Sequence, residues 1–127
     1  MEGSRRGFLA SSSGGRTTIV PVCFVSRGNI IYTAIDQKPK GKRLARISNI
    51  SRNPHVAFIV DIYSEKWDRL SYLLIHGDAE TVRDDREADE ARKMLLQKYP
   101  QYRQLKLDNA LVIAIRIKSS KFWRFSP

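Results

Sequence analysis

Several common devices are missing from this sequence. Its one cysteine, Cys23, has no partner for an internal disulfide. Only two histidines, His55 and His76, are present, and neither a CxxC nor an HxxxH pattern occurs, so a usual zinc site is not expected. No apolar run approaches the roughly 18–20 residues of a membrane-spanning helix. The N-terminal stretch MEGSRRGFLASSSGG lacks an apolar segment of signal-peptide length, so the expected location is cytoplasmic. At 127 residues the chain is expected to form one domain, 1–127, with a substantial core.

Acidic residues are scarce in the first half. Residues 1–60 carry ten basic side chains against Glu2 and Asp36, whereas the remainder carries thirteen against eleven. The overall +10 therefore sits mostly in the first 60 residues, and six of those cations fall between Lys38 and Arg52. A solvated face would interleave acids, as the second half does. A concentrated block suits a phosphate, a nucleotide or a nucleic acid.

The apolar pattern is mainly β. Gly7–Ala10 is short and apolar, and Ser11–Arg16 reads as a turn. Thr17–Val25 is rich in β-branched residues; Pro21 within it removes an amide donor, which predicts an edge, a bulge or a ligand-facing backbone. Ser26–Asn29 reads as a hairpin turn leading to a strand at Asn29–Ile35. Leu44, Ile47 and Ile50 at spacing three predict a short helix over Lys42–Ile50, ending near Asn53-Pro54.

Strands are predicted at His55–Tyr63, at Leu70–Val82 with a bulge or bend at Gly77, at Ala110–Ile117, and at Lys121–Phe125. Asp84–Tyr99 is the clearest helix. Asp84 and Glu87 are placed to cap it, Ala88, Ala91, Leu95 and Tyr99 line one face, Asp89 and Lys93 form an i,i+4 pair, and Pro100 stops it. Several strands in a small chain favour a barrel.

The candidate anion site is Lys38–Arg46. Its lysines give mobile charges, its arginines can fork onto phosphate oxygens, and a helix start near Gly41–Lys42 adds free N–H groups. Thr33 offers a hydroxyl just before it, and Arg16 can approach from the neighbouring strand. Resident acid–base machinery is not evident. Cys23 has the setting of a packed thiol, the histidines read as surface residues, and Glu65 and Asp68 have no mark of a catalytic pair. Redox chemistry on a bound cofactor is then the more natural enzyme reading. Trp67, Tyr72, Trp123 and Phe125 can stack on a flat ring, on single-stranded bases, or on one another in a core.

The stretch Ile31–Asp61 resembles the pyridoxamine 5′-phosphate oxidase-like superfamily: a strand ending in Tyr-Thr, a basic loop and helix, Asn-Pro, then a hydrophobic strand. Arg16–Phe24 resembles the family's second strand, and Gly77–Glu80 its Gly-x-Ala-x strand. The Lys-Pro-Lys loop with Asp61, Tyr63, Trp67, Arg69 and Leu70 is similar to the coenzyme F-420-dependent branch. The likeness runs from about Phe8 to Phe125.

The resemblance implies a mainly β, antiparallel split β-barrel with two or three helices. It implies a homodimer holding FMN or coenzyme F-420 at the subunit interface, and hydride transfer to or from a small organic substrate. It sets Thr33, Lys38, Lys40, Lys42 and Arg46 near the cofactor phosphate, and the Val20-Pro21-Val22 backbone beside the ring. Trp67 and Arg69 would come from the partner subunit, and Trp123-Arg124 is loosely like the terminal strand. Two departures are noted. Relatives begin with a helix for which Met1–Arg6 leaves little room, and no C-terminal Arg motif for vitamin B6 phosphate is evident. Vitamin B6 oxidation is therefore not the expected activity. The rival expectations are a non-catalytic flavin-binding or sensing protein and a basic nucleic-acid-binding barrel.

Overall fold

The computed structural model describes residues 6–35, 47–101 and 110–126. Seven strands run in chain order: β1 Gly7–Ser13, β2 Arg16–Val22, β3 Val25–Arg27, β4 Ile30–Ile35, β5 His55–Ile62, β6 Ser71–Thr81 and β7 Leu111–Arg124. Residues 47–52 are helical (α1), Asp85–Lys98 form α2, and Trp67–Arg69 make a 3-10 turn between β5 and β6.

All seven strands join one antiparallel sheet in the order β2-β1-β5-β6-β7-β4-β3. The two outermost strands, β2 and β3, are consecutive in the chain and are linked only by Cys23 and Phe24. The three steps from Val22 to Val25 span no more than roughly 11 Å, so the edges meet at that corner. The sheet therefore curls on itself there and, among the described residues, stays open elsewhere, as in a split barrel.

Alternation sets what faces inward. Val56, Phe58 and Val60 of β5 are buried, with Leu9, Phe24, Ile75, Ile113 and Ile115, inside the curl. Helix α2 covers a second core built from Ala88, Ala91, Leu95 and Tyr99 against Tyr32, Val112 and Ala114. The face expected from the helical spacing is the buried one. Among the described residues, no helix is long and apolar enough to cross a membrane.

Several local expectations are corrected. Ser11–Ser13 extend β1 instead of turning, because Gly14 and Gly15, with φ of 59° and 78°, supply the whole two-residue turn. The strand predicted across Thr17–Val25 breaks at the Cys23-Phe24 corner. The two C-terminal strands are one, β7, because Lys118–Ser120 continue beside β6. At α2, Asp84 accepts from the Arg86 amide, but Glu87 turns away to accept from Tyr32 Oη at 2.6 Å. Asp89 pairs with Arg92 at 2.7 Å, one residue short of Lys93.

The bulge at Gly77 is present. The register shifts between His76 and Gly77, leaving Lys118 as the extra residue of β7. A Cβ at Gly77 would lie 2.5 Å from the Arg116 carbonyl oxygen, so the bulge needs glycine there.

Candidate functional site

Among the described residues, strand β2 pairs with β1 alone, so its other side is an open edge there. The two-residue turn makes Ser13 and Arg16 a hydrogen-bonded pair, and antiparallel alternation does the rest. Thr18, Val20 and Val22 bond to β1 through their backbones. Thr17, Ile19 and Pro21 turn their backbone groups outward. Pro21 therefore costs no ladder bond, and its carbonyl leaves the edge with an acceptor where no donor stands. Arg16, Thr17, Thr18, Ile19 and Pro21 are exposed, and Val22 closes the inner end. The edge thus offers amide donors at Thr17 and Ile19, an acceptor-only position at Pro21 and a cation at Arg16.

Thr33 is buried, and its hydroxyl donates to the Cys23 carbonyl at 2.8 Å. It ties β4 to the β2–β3 corner and does not present its hydroxyl to solvent. Thr33, opposite Ile113, stands beside the Cys23 corner that follows β2, whereas Arg16, opposite Ser13, begins β2 at its other end. Lys38, Lys40, Lys42 and Arg46 lie outside the described residues.

Trp67 and Arg69 stand in the turn beyond Ile62, away from Arg16. Both are exposed; Trp67 packs edge-on to Phe125 with centroids 6.0 Å apart. Nearby, Tyr72 and Trp123 stack at 5.3 Å. Within one chain, then, the Trp67–Arg69 turn does not meet Arg16.

The outer sheet face holds a cluster that sequence reasoning missed. Asp78 accepts Lys118 Nζ on one oxygen and meets His55 Nδ1 on the other, each at 2.7 Å. The hydrogen bond from Lys118, then that from His55, holds the Asp78 carboxyl below its ordinary range. Burial, aided by the Glu87 hydrogen bond, pushes the Tyr32 phenol up. The i,i+2 spacing of His76 and Asp78 was the only sequence signal for the cluster. Its other members come from strands whose register the sequence does not state. Among the described residues, no group of three or more His, Cys, Asp or Glu could hold a metal ion.

An antiparallel split barrel with a cation-ended open edge defines the class. The chain belongs to the pyridoxamine 5′-phosphate oxidase family, whose model matches residues 1–124. No curated protein matches the chain. Among solved structures it is similar to a FAD-binding protein of Mesorhizobium loti, with 20% identity and a TM-score of 0.77, covering 98% of this chain and 89% of that one. It is likewise similar to the FAD-binding protein of Mycobacterium smegmatis, with 16% identity, a TM-score of 0.69 and coverage of 98% and 90%. The heme storage protein of Vibrio cholerae has 13% identity, a TM-score of 0.74 and coverage of 97% and 87%. At these identities the likeness is one of fold.

Proposed function

We propose that the protein is a cytoplasmic, homodimeric oxidoreductase that binds FMN or coenzyme F-420 along β2 and exchanges hydride with a small organic substrate. The observation that carries this reading is the open β2 edge, with donors at Thr17 and Ile19, an acceptor at Pro21 and the Arg16 cation. A flavin or deazaflavin ring has a polar edge that needs both donors and acceptors, and its tail carries phosphate, so the residues present fit the group. Family membership and two FAD-binding relatives of the same fold support it.

Arg16 with Lys38, Lys40, Lys42 and Arg46 would hold the phosphate. The Val20–Val22 backbone would seat the ring, and Thr33 would fix the corner from which β2 departs. Trp67 and Arg69, which lie away from Arg16 within one chain, would join the site from a second subunit. When bound, the cofactor supplies the hydride chemistry; the chain binds, orients and shields it. The outward-facing β2 positions Thr17, Ile19 and Pro21 carry no acid or base, so solvent supplies the proton.

That same lack of an acid or base favours one second reading, a flavin-binding protein without turnover. Turnover of the loaded protein with a reductant and an artificial acceptor separates the two. The absorbance spectrum of protein purified from its native host tests the shared claim. A flavin or deazaflavin band is expected, and it should diminish in a Lys40→Ala, Arg46→Ala double variant. A colourless protein that also fails to take up either cofactor would sink both readings.

A further inference from the structure

The outer face of the barrel has its own pattern of rows. One row crosses five strands as Ile19, Ala10, Ala57, His76 and Ser119. Its centre is two alanines, so the face dips there. The adjoining row runs through Thr17 and Ser12 to the directly paired His55 and Asp78, and Lys118 enters it from the bulge. Apart from Ile19 and Ser119, these residues rim an open groove of about 420 Å³ at the dip.

The groove's chemistry is one-sided. Asp78 is the only acid among its described lining residues. Both of its oxygens are taken, one by Lys118 and one by His55. His55 keeps its second ring nitrogen, Lys118 keeps further N–H donors, and His76 is exposed beside them. Ser12 accepts from Asn53 Nδ2 at 3.1 Å, which leaves its own hydroxyl proton to donate. Asn53 Oδ1 in turn receives the His55 amide at 3.2 Å, fixing the start of β5 against the hairpin. Donors therefore converge on a floor of small side chains, and the one carboxylate is already neutralised. That arrangement suits an oxyanion.

We propose that this groove is a binding site for a small oxyanionic ligand, a phosphate or a carboxylate, on the outer sheet face, sharing only Thr17 with the β2 edge. Alternation aims Arg16 to the opposite face of the sheet, so the two sites do not share that cation. The proposal does not rest on the cofactor reading, because its test uses cofactor-free protein.

The test follows the histidine ring protons by NMR at constant ionic strength, titrating inorganic phosphate in one arm and succinate in the other. Saturable shifts of His55 and His76 in either arm are expected, and the tighter arm assigns the ligand's source. Lys118→Ala should weaken binding about tenfold, the loss typical of a charged hydrogen bond. Asp78→Asn should tighten it, a gain that misfolding cannot mimic. Lys121→Ala, outside the groove, should leave it unchanged. Shifts that do not saturate, or an Asp78→Asn variant that binds no better, would overturn the proposal. Competitive displacement of phosphate by FMN would merge the groove with the cofactor site and also overturn it.

Discussion

The Tyr99 hydroxyl serves both backbone groups of Phe24, accepting from its N–H and donating to its C=O, each at 3.2 Å. The two residues are 75 positions apart. Phe24 is the corner at which the sheet's two edges meet, and Lys98 Nζ also donates to its carbonyl at 2.9 Å. The end of α2 therefore clamps the point from which β2 departs. A buried corner without this hydroxyl would leave an amide unsatisfied. Tyr99→Phe should cost about 1–3 kcal/mol in denaturant unfolding. It should also weaken cofactor retention, because β2 would lose its fixed origin. Unchanged stability would show that the clamp contributes nothing.

Proline at position 21 is a test of register. The alternation predicts that Pro21→Ala leaves stability within about 0.5 kcal/mol, since no ladder bond is regained. Val20→Pro removes a bond to β1 and should cost at least about 1 kcal/mol. Equal costs at the two positions, measured by thermal melting, would show that the outward assignment of Pro21 is wrong.

Gly77 has no room for a side chain, since a Cβ there meets the Arg116 carbonyl at 2.5 Å. Gly77→Ala should destabilise by about 1–3 kcal/mol, as overpacking does. The bulge should shift with it, seen as lost hydrogen-exchange protection along β6 and β7. A melting curve that matches the parent would contradict the close approach.

Asp78 makes the fold acid-sensitive in a defined direction. Its carboxyl is held below the ordinary range by Lys118 and His55. A depressed folded-state value gives stability that is fully present above the unfolded carboxylate range. That stability is lost as the pH falls through the folded value. Asp78→Asn should therefore lower the melting temperature at neutral pH and flatten its decline into acid. Parallel melting curves for parent and variant across that range would argue that the pair is too solvated to matter.

Much of the fold was legible because β-branched alternation and turn glycines are local signals. Pro21 marked an edge, a bulge or a ligand-facing backbone, Gly77 marked a bulge or bend, and the Ala88–Leu95 stripe marked the covered face of α2. The failures share a cause. Ser11–Ser13 and Lys118–Ser120 are weak strand formers by composition, and they are strands because β2 pairs with the first segment and β6 with the second. Glu87 left its capping role for Tyr32, which no helix-local rule contains. The candidate edge was readable from Pro21 and Arg16. The His55–Asp78–Lys118 cluster was not, since it exists only once three strands are in register.

The most direct test of the central claim is a titration of cofactor-free protein with FMN and with coenzyme F-420, followed by fluorescence. The account predicts saturable micromolar binding of one of them, and a loss of about tenfold or more in Arg16→Ala, as for a charged hydrogen bond to phosphate. Binding that falls steeply with salt would instead mark contact with many phosphates, as on a nucleic acid. Failure of both cofactors to bind the folded protein would contradict the account.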